Sequence, residues 1–218
     1  MTVLGLLRRI TLIFFRIYFR IDFVGVENIP ASGGVVIASN HPSYLDPIVL
    51  QMGTDRWVRW LGMKEITGWP VVGRLSRWFG MLEVGDSPRG GGHALWQAMK
   101  VLEEGGVVGL YPEGGRTEGA LMGPAKAGLG RLALQPGVAV VPAVVFGTGR
   151  AWPRGLLLPV PRKIVIAYLP PMRFDGAATR ERYQQIADDV RSRIVDVQKR
   201  HSIGPALPGS RKSEARRY

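Results

Sequence analysis

Short, wholly apolar runs that each end in polar residues constrain this chain more than any other feature. Gly34-Val35-Val36-Ile37-Ala38 and Val107-Val108-Gly109-Leu110 are too short for helices, carry no polar face and read as buried strands. Val138 to Phe146 is apolar and β-branched, and is broken by Pro142. Asp22, Phe23 and Val24 sit in an alternating stretch from Ile21 to Val26, while Trp57 to Met63, Gly80 to Val84 and Lys163 to Tyr168 read as further strands. Helical spacing lies between them. It covers the Ile48-Val49-Leu50 run, Trp69 to Phe79, His93 to Glu104 with its stop at Gly105-Gly106, Ala127 to Leu134, and a long charged helix from Ala177 to about His201. Asn28 to Gly34 is a turn, and Gly85 to Gly92 reads as a flexible polar loop. Strands alternating with helices predict an α/β fold: a single domain with a mixed central β-sheet flanked by helices. With 218 residues and no internal repeat, one domain accounts for the chain.

The two ends differ from the middle. Residues 1–22 are apolar with arginines set in, and Arg9, Arg16 and Arg20 fall on one stripe at helical spacing. Each arginine near a bilayer centre costs about 3 kcal/mol even on lenient scales, so a spanning helix is disfavoured. A basic-amphipathic helix lying in the membrane interface fits better than either a spanning helix or a cleaved signal peptide. From Ser202 the chain turns to Pro, Gly, Ser, Lys and Arg and reads as a disordered basic tail. The predicted organisation is therefore a membrane-associating helix over 1–22, a catalytic domain over 23–201 and a tail over 202–218. The net charge of +12 suits polyanions such as anionic lipid, nucleic acid or phosphorylated substrates. No helix-turn-helix, zinc-finger or RNA-recognition signature is present, so nucleic acid is not the expected partner. The chain has no cysteine, which excludes disulfides, thiolate metal sites and a cysteine nucleophile. Three widely separated histidines form no metal-ligand cluster, and no metal is expected.

Chemistry concentrates where two buried strands end. After Ala38 comes Ser39-Asn40-His41-Pro42-Ser43-Tyr44-Leu45-Asp46. Pro42 suits the first position of a helix, which leaves His41 on the loop before it and puts Asp46 on the second turn. A bend there would let the carboxylate meet an imidazole nitrogen and make a general base. The plain alternative is a loop histidine beside a surface carboxylate. After Leu110 comes Tyr111-Pro112-Glu113-Gly114-Gly115-Arg116-Thr117, with Lys126 beyond it. Both stretches fall at strand carboxyl ends, the edge where open α/β sheets bind ligands. Arginine and lysine beside glycine-rich backbone suit a phosphate. His93 and His201 have no evident partners and read as exposed helix positions.

Together these stretches resemble the lysophosphatidate acyltransferase family of glycerolipid acyltransferases. Asn40 to Asp46 matches an NHxxxxD block, Tyr111 to Thr117 a (F/Y)PEGxR(S/T) block, Lys126-Ala127-Gly128 the lysine and glycine after it, and Val140-Val141-Pro142-Ala143 a fourth block. Met63-Lys64-Glu65 resembles the lysine preceding the second block. That block departs: Gly85 and Asp86 stand where the family has aspartate and arginine, and Arg89 lies three residues on. The resemblance implies transfer of a fatty acyl group from acyl-CoA or acyl carrier protein, as co-substrate and with no cofactor, to the sn-2 hydroxyl of 1-acylglycerol-3-phosphate. The expected catalytic pair is His41 and Asp46. The substrate-binding set it implies comprises Asn40, Ser43, Lys64 and Arg89 together with Glu113, Gly114, Gly115, Arg116, Lys126 and Pro142. Glu113 is expected to orient Arg116 or an acceptor hydroxyl, or simply to cap its own loop. The resemblance also implies an anionic membrane partner and the cytoplasmic face of a bacterial plasma membrane. The altered block leaves another lysophospholipid or alcohol as the alternative acceptor, and a thioester hydrolase as the rival reaction.

Overall fold

A computed structural model describes residues 13–63, 81–85, 88–117, 119, 121–156 and 158–203, without the side chains of residues 63, 88–90, 202 and 203. Among the described residues seven strands form one sheet: β1 (Asp22–Val24), β2 (Val35–Ser39), β3 (Val58–Met63), β4 (Leu82–Val84), β5 (Val107–Leu110), β6 (Ala139–Phe146) and β7 (Val165–Tyr168). Their order is β1-β7-β6-β2-β5-β3-β4. β6, β2, β5, β3 and β4 run parallel, while β7 is antiparallel to β6 and carries β1 parallel beside it. The sheet is therefore mixed, as the α/β reading requires. Every residue of β2 and β5 is buried, which explains why both strands are apolar throughout and do not alternate.

Among the described residues that follow β1, five α-helices cover the sheet: α1 (Asp46–Gln51), α2 (Pro88–Glu103), α3 (Gly128–Ala133), α4 (Thr148–Ala151) and α5 (Arg180–Ile203). One core layer packs Ala98, Leu102, Leu129, Leu132, Ile186 and Ile194 from α2, α3 and α5 against Val36, Val108 and Val140. The other packs Val49, Leu50 and Ala151 from α1 and α4, with Phe19 and Ile21, against Ile37, Val141 and Ile166. Successive strand residues face opposite layers, so each strand feeds both cores.

Four details differ from the sequence expectations. Pro42 does not open a helix. α1 begins at Asp46 with Pro47 behind it, after a turn over residues 44 and 45, so Asp46 stands at the first helical position and not on a second turn. Residues 88–92, expected as loop, belong to the first turns of α2. Pro88 starts that helix, where its missing N–H costs little, and burial of Ala94, Ala98 and Leu102 outweighs the poor helix propensity of the glycines. Pro142 does not break β6: it sits opposite Ala38, and its carbonyl accepts the Leu169 N–H. The last ladder pair with β7 is Ala143–Tyr168, so the absent N–H of Pro142 falls beyond the ladder. His201 is half-buried, its ring tilted at 36° against Phe146 with centroids 4.1 Å apart, and not an exposed helix position. Residues 13–18 are helical, and no helix among the described residues is long and apolar enough to cross a membrane. Residues 1–12, the apolar stretch from Trp69 to Phe79, Lys64, Asp86 and the tail from 204 lie outside the described residues.

Candidate active site

β2 and β5 are adjacent and parallel, with Ala38 level with Leu110. This register brings the loops that follow them side by side, although they are far apart in sequence. His41 N–H donates to Glu113 Oε1 at 3.1 Å, and the His41 carbonyl accepts Thr117 N–H at 3.1 Å. The other oxygen of Glu113 accepts the Thr117 hydroxyl at 2.6 Å and Gly123 N–H at 2.8 Å. Glu113 therefore clasps three segments together and makes no bond to Arg116. Asn40 anchors the opposite side: its amide both donates to and accepts from the Val145 backbone of β6, at 3.0 and 2.9 Å.

The imidazole and the carboxylate meet. His41 Nδ1 lies 2.8 Å from Asp46 Oδ2, and that oxygen also accepts Ser43 N–H at 2.8 Å. The Ser43 hydroxyl donates to the Trp152 carbonyl and accepts Leu45 N–H, which fixes the turn that carries the pair. Asp46 is wholly buried. Burial raises its carboxyl above the ordinary 3.8, against the opposing pull of the His41 contact, the nearby Thr148 hydroxyl and the Ser43 N–H. Asp46 Oδ1 and Thr148 Oγ1 are both buried without a hydrogen bond of standard geometry. His41 Nε2 makes no hydrogen bond among the described residues, which leaves it open to a substrate proton.

Two aromatic rings support the imidazole. Tyr111 stacks on His41 with centroids 3.7 Å apart and planes 8° from parallel, and Trp60 stacks behind Tyr111 at 5.1 Å. Gly109 makes this possible, because a Cβ there would enter the Trp60 ring. The Tyr111 hydroxyl is buried with no partner, and burial, then the charge of Asp46, push its pKa well up. Sequence reasoning quoted Tyr111 within its motif but assigned it no role. Trp60 lies in the strand expected over Trp57 to Met63, which carries no site role in the sequence. The available signal was an aromatic residue directly after a buried strand, two positions before Glu113.

The cationic residues flank this centre. Arg116 lies over the Tyr44 ring at 3.6 Å and donates to its hydroxyl at 2.9 Å. Gly114 turns the loop with φ +75°, and a Cβ there would strike the Lys126 ammonium, so that side chain passes directly over it. Lys126 N–H donates to the Pro112 carbonyl, and Gly115 adjoins Arg116 on the same loop. Pro142 is buried within the sheet, level with Ala38 and below the His41 loop. Arg89 falls in the first turn of α2, and its side chain is not described. A cleft of about 420 Å³ lined by Arg59, Glu83, Gly85 and His93 opens beside β4.

A histidine held by a buried carboxylate at the carboxyl edge of an α/β sheet, with a basic glycine-containing loop clasped to it, defines a class of protein able to take a proton from a hydroxyl or from water. The chain belongs to the Acyltransferase family, whose model matches residues 20–146. It is 31% identical over 140 residues to a chloroplastic 1-acyl-sn-glycerol-3-phosphate acyltransferase of Brassica napus, covering 63% of this chain and 40% of that one. It is also 30% identical over 123 residues to a 1-acyl-sn-glycerol-3-phosphate acyltransferase of Bacillus subtilis, covering 56% of this chain and 60% of that one. The chain thus spans 40% to 60% of the length of these curated relatives, less than two thirds. The crystal structure of the 1-acyl-sn-glycerophosphate acyltransferase PlsC from Thermotoga maritima superposes with a TM-score of 0.70 over 95% of this chain and 86% of that one. At 21% identity this likeness shows a shared fold.

Proposed function

We propose that this protein transfers a fatty acyl group from an acyl thioester, acyl-CoA or acyl carrier protein, to the sn-2 hydroxyl of 1-acylglycerol-3-phosphate, giving phosphatidate. The observation that carries the proposal is the 2.8 Å contact between His41 Nδ1 and the buried Asp46 carboxylate, with Nε2 unbonded beside the Arg116 and Lys126 loop. The names of the curated relatives as 1-acyl-sn-glycerol-3-phosphate acyltransferases support the same reading.

In this mechanism His41 Nε2 takes the proton as the acceptor oxygen attacks the thioester carbonyl, while Asp46 holds the tautomer and balances the imidazolium. The tetrahedral intermediate then expels the thiolate, which recovers the proton from His41, so no covalent acyl-enzyme is needed. The oxyanion requires N–H donors. Ser43, Leu45 and Asp46 have theirs already committed, and positions 42 and 47 are prolines. Gly115 and Arg116 of the second loop keep unbonded N–H groups among the described residues and are candidates. Arg116 and Lys126 neutralise phosphate on the acceptor or donor, with Lys64 and Arg89 as further candidates. The chemistry calls for a site at a membrane surface, on the cytoplasmic side where acyl thioesters are found.

A thiol-release assay tests the proposal. The chain has no cysteine, so the protein contributes no thiol background. Release from acyl-CoA or acyl carrier protein that requires 1-acylglycerol-3-phosphate and disappears in His41→Ala supports it. Release without an acceptor would make the protein a thioesterase. Release only with another lysophospholipid or alcohol would retain acyl transfer and assign the change of acceptor to the Gly85-Asp86 departure.

A further inference from the structure

The segment from Trp152 to Lys163, between α4 and β7, has no regular secondary structure where it is described. Its sequence sets leucines between basic residues: Arg154 precedes Leu156-Leu157-Leu158, and Arg162-Lys163 follow after Pro159-Val160-Pro161. Leu158 is 73% exposed and Leu156 is 44% exposed. Arg154, Arg162 and Lys163 are exposed as well, Lys163 paired with Asp22 at 2.8 Å.

The neighbouring helical residues 13–18 repeat this pattern, with Ile13, Phe14 and Ile17 exposed beside Arg16 and Arg20. The two segments are joined: Tyr18 donates its hydroxyl to the Pro159 carbonyl at 3.1 Å, and Ile164 N–H donates to the Phe19 carbonyl at 3.1 Å. Of nine large apolar side chains this exposed among the described residues, five lie on these two segments. Such concentration marks a contact surface, whereas isolated exposed leucines would need no explanation. Basic residues around an apolar tip complement anionic headgroups above an acyl layer. The prolines at 153, 159 and 161 restrict the backbone, so little order must be gained on contact.

The loop also reaches the candidate site. Trp152 donates Nε1–H to the Leu156 carbonyl at 2.9 Å, accepts the Ser43 hydroxyl on its own carbonyl, and meets Tyr44 edge-on at 6.2 Å. Arg154 donates to the Arg116 carbonyl at 3.2 Å.

We propose that the 153–163 loop inserts Leu156 and Leu158 into an anionic lipid bilayer, as a membrane contact beside helical residues 13–18 that sets the His41 site at the interface. This deepens the acyl-transfer reading by placing the lipid relative to the site. It rests on exposure and charge, and its test uses no substrate, so its failure would leave the reaction untouched.

Because the chain lacks cysteine, Leu158→Cys gives a single attachment point for an environment-sensitive fluorophore such as NBD. Asp189→Cys, exposed on α5 across the sheet, is the control. On phosphatidylglycerol–phosphatidylcholine vesicles the label at 158 should brighten severalfold, shift to the blue and be quenched by lipids carrying nitroxides on their chains. The label at 189 should not change. The double substitution Leu156→Ser with Leu158→Ser should weaken vesicle partitioning at least tenfold at unchanged Tm. Aqueous emission from position 158 on protein that sediments with vesicles would overturn the proposal, as would the absence of vesicle binding. A response to acyl carrier protein but not to vesicles would assign the surface to an acidic protein and overturn it equally.

Discussion

Replacing Asp46 by Asn tests the acid–base argument at its most sensitive point. The carboxylate is wholly buried, and one oxygen serves both His41 Nδ1 and Ser43 N–H at 2.8 Å. An asparagine oxygen in that place can accept both bonds, with the amide nitrogen taking the position of the unpartnered Oδ1. The tautomer with its proton on Nδ1 is then kept, and Nε2 retains its lone pair. The imidazolium formed during attack, however, loses its buried counter-charge, at about 3 kcal/mol. This predicts a fall in kcat of about 10²-fold, read by thiol release. The same substitution has a stability signature. Burial raises the Asp46 pKa in the folded protein above its ordinary 3.8, so the folded state holds that proton more tightly than the unfolded chain. The resulting stability is present below that value and is lost as pH rises through the raised folded value. Asp46→Asn lacks this dependence. Its Tm should therefore gain on the wild type as pH rises from the ordinary carboxyl value through the raised folded value. Retention of more than a tenth of the activity, or a Tm difference that does not grow with pH, would refute the reasoning.

Other substitutions probe the supports of the pair. Tyr111→Phe keeps the ring on His41 and removes an unpartnered buried hydroxyl, so activity should stay within about twofold and Tm should not fall; Tyr111→Leu should lower kcat about tenfold. Glu113→Gln exchanges an oxygen for a nitrogen facing His41 N–H or the donors on Thr117 and Gly123, so a loss of about 2 kcal/mol in denaturant unfolding should accompany reduced kcat. Arg116→Lys loses the planar stack on Tyr44 and the forked donors, and should raise the acceptor KM about tenfold with a smaller change in kcat. Arg56→Ala, which strips hydrogen bonds from the carbonyls of Pro30, Gly33 and Gly105, should cost about 2–3 kcal/mol of stability while sparing the kinetics of the remaining folded enzyme.

The sequence by itself determined the elements whose causes are local. β2 and β5 were legible because a strand buried on both faces must be apolar throughout, and α2 and α5 because their helical patterns run over many turns. The two polar loops after β2 and β5 stood out because chemistry-bearing residues follow those strands immediately. The tertiary structure decided what depends on strand order and register. The Glu113 carboxylate was expected to orient Arg116 or an acceptor hydroxyl, or to cap its own loop; it caps the Thr117–Gly123 side of that loop and also holds His41 N–H, because β2 and β5 are neighbours. The Tyr111 ring lies on His41 because the same register brings the start of one loop against the other, with Gly109 leaving room for Trp60 behind it. The start of α1 moved to Asp46 because the Ser43 hydroxyl and the carboxylate itself fold residues 43–46 into a turn, a competition that proline preference alone does not reveal. Apolar pattern fixes which face a residue presents, whereas the partner across a sheet is fixed by how distant strands are ordered, and no local pattern encodes that order.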